Sequence, residues 1–382
     1  MNNKLIALAV AGALTAPMMA VEAAPTAYGR MAVEWAQTSN SAVGTNDKNY
    51  MVDNKAGQFG FKGSEDLGGG LKAIYKMEFG IETSNNTSGQ GADIFDRESM
   101  IGLKIGKSHT VAMGNLKSPY KYAGGVKYDS FAATSMQARE GSSNISGSGG
   151  AMSSGALGHG GFVENAIAYT GKFKPVTVSL ATTALDDSES DSPITAISVA
   201  AKVGAFHFGF ANISQDGCLG TSSSTDNCEA ADNGTTNPNG NGINVGDNVV
   251  VTAGNNGNVN ESERTKFFGS WSNGQHTVRL QLEDTETTAP TAGAVATETD
   301  YIYVNYQFKM GKHLVDVALG EKDDKRATAG ADEDFSRLAY AYNFSKKTRV
   351  FAGIAESDLT NNSGTGTPND WDTFSVGMQI KF

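Results

Sequence analysis

The residues able to do chemistry in this chain are mostly its charges, 30 Lys and Arg against 41 Asp and Glu. The five histidines, His109, His159, His207, His276 and His313, fall on five different segments. They form no HExxH pair, and the sequence contains no nucleophile elbow, Walker loop or dinucleotide fingerprint. No enzyme class and no cofactor is therefore indicated. What remains is the chemistry of fixed fields, in which charges held in place select, orient or repel ions. Segment 117–161 carries Lys117, Lys121, Lys127 and Arg139 against Asp129 and Glu140. Segment 215–262 carries Asp216, Asp226, Glu229, Asp232, Asp247 and Glu261 with no Lys or Arg, and 185–192 adds Asp186, Asp187, Glu189 and Asp191. A net charge of −11 argues against nucleic acid as a partner.

Holding those charges requires strands. The 46 glycines against 8 prolines, with many Asn, Ser and Thr, favour strands and turns. The last segment shows the pattern best. Phe374, Val376, Met378, Ile380 and Phe382 share one face, and Ser375, Gly377, Gln379 and Lys381 the other. The same alternation predicts about sixteen strands, near 26–37, 50–63, 70–82, 94–106, 109–116, 162–171, 175–184, 194–202, 205–214, 263–273, 275–285, 299–308, 313–321, 334–344, 347–357 and 372–382. No stretch after the N-terminus approaches the ~18 apolar residues of a membrane helix. A barrel strand needs only ~9–11 alternating residues. Short connections such as Gly106-Lys107-Ser108, Val203-Gly204 and Asn273-Gly274 alternate with long ones at about 117–161, 215–262, 286–298, 322–333 and 358–371. Tight turns on one rim and long loops on the other are how outer-membrane barrels are built. The expected fold is an all-β transmembrane antiparallel barrel. Parity then turns Glu34, Arg279, Asp316 and Arg337 toward its lumen, because a charge facing lipid at mid-depth costs ~2–4 kcal/mol.

Residues 1–23 read as a Sec signal peptide: Lys4, an apolar run from Leu5 to Ala16, then Val21-Glu22-Ala23. The barrel domain is then 24–382. In an exported chain Cys218 and Cys228, close in a Gly/Asn/Ser-rich segment without a nearby His, are expected to form a local disulfide rather than a metal site. Closing so short a loop contributes roughly 2–3 kcal/mol, mostly to loop order.

The run Phe59-Gly60-Phe61-Lys62-Gly63-Ser64-Glu65-Asp66-Leu67-Gly68-Gly69-Gly70-Leu71-Lys72-Ala73-Ile74-Tyr75 resembles the first periplasmic hairpin of Gram-negative general porins, particularly the neisserial and proteobacterial trimeric type. Tyr28-Gly29-Arg30, Arg97 with Ile101-Gly102-Leu103-Lys104, and the terminal Phe382 match the same family. The resemblance implies a homotrimer of barrels, each narrowed by an inward-folded third long loop, here about 117–161. It places Arg30, Arg97, Lys62 and Lys76 on the pore wall facing the loop charges, and makes Phe382 the signal read by the barrel-assembly machinery. Where relatives carry a further wall arginine this chain reads Gly114-Asn115-Leu116, which leaves the strength and sign of the transverse field open.

The expected function is passive diffusion of ions and small hydrophilic solutes across the outer membrane of a Gram-negative bacterium. The acidic outer segments lead to an expectation of mild cation preference. Asp186, Asp187 and Asp191 are candidates for divalent cations bridging to lipopolysaccharide. Two alternatives stand beside this reading: a substrate-selective channel, and a plugged structural or adhesive barrel.

Overall fold

Alternating side chains close here into one continuous sheet. The computed structural model describes residues 24–40, 48–52, 57–81, 83, 94–140, 150–155, 157–183, 191–217, 229–230, 260–289, 296–326, 331–361 and 370–382. The barrel runs through β1 (Thr26–Asn40), β2 (two segments, Lys48–Val52 and Gln58–Gly68), β3 (Leu71–Ile81), β4 (Ile94–Ile105) and β5 (His109–Leu116). It continues with β6 (Val163–Phe173), β7 (Val176–Thr183), β8 (Ile194–Val203), β9 (Phe206–Gln215), β10 (Glu261–Ser272) and β11 (His276–Thr288). The last five are β12 (Thr297–Met310), β13 (His313–Asp324), β14 (Ala331–Asn343), β15 (Thr348–Asn361) and β16 (Trp371–Lys381). Each strand pairs antiparallel with the next, and β1 pairs with β16 from Arg30↔Lys381 to Asn40↔Trp371. Among the described strands closure leaves no barrel edge whose backbone groups would go unpaired in lipid, at several kcal/mol each.

All sixteen expected segments coincide with strands. The second departs most: one continuous strand was expected at 50–63, and both observed segments lie against β1 instead, Gln58–Lys62 along Thr26–Arg30 and Lys48–Val52 further up. The Gly-rich hairpin turn is as expected. Gly68, Gly69 and Gly70 all have positive φ (82°, 59° and 83°), a region that β-carbon-bearing residues avoid, and Asp66 Oδ1 accepts the Gly68 N–H at 3.0 Å.

Outside, the wall is apolar. Met31, Trp35, Leu280, Leu282, Ile302, Val304, Leu338, Phe374 and Val376 are all exposed there. The buried apolar cluster lies inside the barrel, where Tyr120, Phe131, Met136 and Met152 of the segment after β5 pack on Phe268, Tyr303, Phe335 and Phe351 of the wall. That segment begins with a single helical turn, α1 (Pro119–Tyr122), whose N-cap Ser118 accepts the Lys121 N–H at 3.1 Å.

The seam is finished by the last residue. Phe382 N–H donates to the Gly29 carbonyl (3.0 Å) and its ring lies where a β-carbon on residue 29 would sit, 2.2 Å from the nearest ring atom. The Tyr28-Gly29-Arg30 motif thus has a steric reason: only glycine leaves room for the terminal ring.

Candidate functional site in the barrel lumen

The described parts of segment 117–162 fold back against the inner wall, and charged groups fix them there. Arg337 of β14 sits between two carboxylates, Asp316 of β13 (2.8 Å) and Asp129 of the loop (2.7 Å), and also donates to the Met136 carbonyl (2.9 Å). Asp129 is held for this by accepting the Phe131 and Ala138 N–H groups, each at 2.9 Å. Glu34 accepts the Ser135 N–H and hydroxyl, both at 2.8 Å, and the Ser375 hydroxyl. Glu140 accepts from Tyr301 (2.9 Å) and Lys322 (2.6 Å).

A second anchor is centred on β10 and β11. Glu283 accepts from Tyr120 Oη (2.6 Å), the Ser153 N–H (3.1 Å) and the Ser153 hydroxyl. Lys266 Nζ lies 2.7 Å from His159 Nε2 and 3.9 Å from the centre of the Tyr120 ring. His159 Nδ1 faces the Ser153 carbonyl at 2.8 Å, so the neutral ring donates from Nδ1 and accepts at Nε2 from the ammonium. Burial, with Lys266 beside it, pushes the His159 imidazole down to about 3. Gln281 Oε1 takes the Gly125 N–H at 2.6 Å, and Arg139 donates to the His159 carbonyl at 2.7 Å.

Across β3 and β4 the charges are partly wet. Glu78 is shared by Lys76 (2.9 Å), Arg97 (2.9 Å) and Lys117 (3.4 Å), while Tyr28 Oη donates to its second oxygen at 2.9 Å. Glu98 pairs with Lys117 (3.2 Å) and Lys76. Adjacent residues in a regular strand face opposite ways, yet Arg97 and Glu98 both reach this cluster. The cause is a bulge: Met77 opposes Ser99 and Phe79 opposes Asp96, so the two residues lie opposite Glu78 alone.

A third group lies at the seam. Arg30 is directly opposite Lys381, and Arg349 is opposite Gln379, two residues along the same lumen face. Arg97 and Arg349 both lie within electrostatic reach of Arg30. Arg349 donates to the Ser130 carbonyl at 3.2 Å, with its guanidinium 5.4 Å from the Phe131 ring centre.

These contacts sort the expected site residues. Lys76, Arg97 and Lys117 form the wet cluster. Glu34, Asp316, Arg337, Asp129 and Glu140 face inward but are covered or tied by the loop, so they hold it rather than line open space. Arg279 donates to Asn305 Oδ1 (2.6 Å), Lys121 to the Gly161 carbonyl (2.8 Å), and Lys127 lies 5.3 Å from the Tyr122 ring centre. Lys62 stacks over Tyr28 at 4.9 Å, toward the periplasmic end. Cys218, Cys228, Asp186 and Asp187 lie outside the described residues. Sequence reasoning missed Glu78, Glu98, His159, Lys266, Glu283 and Arg349. Parity alone could have found Lys266, Glu283 and Arg349, since they share a face with buried neighbours.

A family model described as Gram-negative porin matches residues 7–362. Among curated proteins, the major outer membrane protein P.IB of Neisseria gonorrhoeae is 35% identical over 130 residues, 32% of this chain and 34% of that protein. Its counterpart in Neisseria meningitidis is 36% identical over 132 residues, 33% and 37% of the two chains. The aligned stretch spans about a third of these relatives. Among solved structures, the anion-selective porin from Comamonas acidovorans superposes with a TM-score of 0.68 at 17% identity, over 94% of this chain and 99% of that one. OmpT of Vibrio cholerae, in its trimer form, gives 0.61 at 13% identity over 94% and 99%. At these identities the superpositions speak for the fold.

Proposed function

The chain belongs to the Gram-negative porin family and resides in the outer membrane, and from that premise we propose that it forms a water-filled channel for passive diffusion of ions and small hydrophilic solutes. The observation that carries this reading is charge wetted inside a greasy tube. Lys76, Arg97, Lys117 and Glu98 keep 15–17% of their side-chain surface accessible within a wall whose outer face is apolar. Weak, field-based guidance suffices for throughput, and no cofactor or energy source enters the reading. The partners are those of a homotrimeric barrel: further copies of the chain, membrane lipid and lipopolysaccharide, the assembly machinery that reads Phe382, and the solutes themselves.

The sign of selectivity follows the described lumen. The segments behind the expected cation preference lie largely outside the described residues. Within the lumen, Glu78 and Glu98 face three bases, and Asp129 and Asp316 are tied by Arg337. Arg30, Lys381 and Arg349 crowd one seam, where like charges opposed across strands favour a passing anion. We therefore read the constriction as anion-preferring.

Planar-bilayer recording tests both levels. Stepwise conductance is expected, with a reversal potential in a KCl gradient displaced toward chloride. A potential displaced toward potassium restores the cation reading, and block at low concentrations of one solute selects the substrate-specific channel. Absence of conductance from a folded barrel selects the plugged, adhesive one.

A further inference from the structure

Three of the scattered histidines prove to be one motif used three times. His109, His276 and His313 each open a strand, β5, β11 and β13, straight after a short turn. Each ring places Nδ1 beside the hydroxyl of an outward-facing tyrosine on the neighbouring strand: Tyr169 (2.8 Å), Tyr306 (2.8 Å) and Tyr340 (2.7 Å). The ring centres of these pairs stand 6.0, 6.1 and 6.0 Å apart. A second aromatic ring flanks each histidine, Phe173 at 5.5 Å, Phe308 at 5.1 Å and Tyr342 at 5.1 Å. All three stations share one height, the lower border of the apolar belt on the short-turn, periplasmic side.

Their surroundings are cationic. Exposed lysines occupy the adjoining turns: Lys107 before His109, Lys312 before His313 with its ammonium 6.0 Å from the Tyr342 ring centre, and Lys346 and Lys347 beyond Tyr342. Two carboxylates lie at the short β2–β3 turn, Glu65 and Asp66, on the hairpin preceding that of His109, and Asp66 is already paired with Lys72 at 2.9 Å. With the tyrosine hydroxyl donating to Nδ1, the ring proton sits on Nε2, which has no hydrogen-bond partner among the described residues. An N–H donor rigidly oriented by two aromatic rings, beside ammonium groups and at the edge of an acyl-chain surface, matches a phosphate diester that carries two acyl chains.

We propose that the three histidine–tyrosine stations, with the lysines of their turns, dock the phosphate headgroups of anionic phospholipids in the periplasmic leaflet. The site is continuous with the lipid-facing belt and does not depend on what the lumen transports. Each lysine near an anionic leaflet strengthens association about fivefold, and the histidines supply the donor that fixes the phosphate in place.

The test uses the folded full-length barrel in phosphatidylcholine vesicles carrying trace spin-labelled phosphatidylglycerol or spin-labelled phosphatidylcholine, with the motionally restricted fraction read by electron spin resonance. The wild type should restrict phosphatidylglycerol preferentially. The variant His109→Phe/His276→Phe/His313→Phe, which keeps the aromatic surface, should lose most of that preference. Lys107→Gln/Lys312→Gln should weaken it about fivefold per lysine removed. No preference in the wild type overturns the proposal without any variant having to fold, as does full preference in the triple variant. Displacement of phosphatidylglycerol by inorganic phosphate at equal concentration would assign the stations to a free anion and overturn the lipid assignment.

Discussion

Two of the ion clusters in this lumen are built from the same residue types and used in opposite ways. Arg337 with Asp129 and Asp316 has side chains only 0–2% exposed. Lys76, Arg97 and Lys117 around Glu78 and Glu98 keep 15–17% of their surface wet, although Glu78 itself is covered. The dry cluster joins loop to wall and has one cation for two carboxylates, so neither acid can lose it without stranding a buried charge. In the wet cluster three cations serve two acids, and water can replace any one partner. On the proposed reading the dry group sets where the loop sits, and the wet group the potential a passing solute would meet.

Breaking the dry cluster should have the largest effect. Arg337→Ala removes the cation that pairs directly with both Asp129 and Asp316, and breaking such a buried pair typically costs ~3–5 kcal/mol. The barrel has its own closed ladder and should persist, with the loss falling on loop docking. Single-channel records of the variant should show a larger and noisier conductance, and limited proteolysis should cut within 117–140 where the wild type resists. An unchanged conductance would mean that the anchors at Glu34, Glu140 and Glu283, with the apolar packing of Phe131 and Met136, hold the loop without Arg337.

The difference between the clusters shows what a sequence can disclose here. Strand parity placed Glu34, Asp316 and Arg337 on the inner face because lipid penalises the alternative. It could not show that a loop lies over them, since 117–161 has no periodicity and its contacts are with residues far along the chain. The Arg97-Glu98 doublet was half legible: alternation allows only one of two neighbours to face inward, and the bulge opposite Glu78 admits both. The fit of Phe382 over Gly29 joins the two ends of the barrel, and each end was readable while their contact was not. The histidines looked unrelated because the motif that unites three of them runs across strands.

A middle-sized effect separates the second loop anchor from the wet cluster by pH. His159 is buried among Lys266, Glu283, Arg139, Gln281, Tyr120 and Ser153, and its folded value of about 3 lies below the ordinary 6.5. The undocked ring binds a proton more readily than the docked one. The docked state is therefore fully favoured above about pH 6.5 and loses ~1.4 kcal/mol per pH unit as acidity rises toward 3. By pH 5 this amounts to about 2 kcal/mol. Comparing thermal stability and loop proteolysis at pH 7 and pH 5 in wild type and His159→Gln isolates the contribution, because the remaining titratable groups are common to both. A wild type no more acid-sensitive than the variant would remove His159 from the anchor.

The smallest stability change should come with a clear change in selectivity. Glu78→Gln removes the acid that Lys76, Arg97 and Lys117 share, while Glu98 still neutralises part of their charge. The amide can still accept a hydrogen bond and the three bases keep Glu98 and some water, so stability should move by about 1 kcal/mol. The local field becomes more positive, so the reversal potential in a KCl gradient should shift further toward chloride, and less so at high salt as the Debye length contracts. Melting temperature and reversal potential measured on the same preparation decide the point. A large drop in melting temperature would make Glu78 another latch, and an unmoved potential would place the ion path elsewhere in the lumen. The wet and dry clusters are functionally distinct only if Arg337→Ala moves the loop and Glu78→Gln moves the potential.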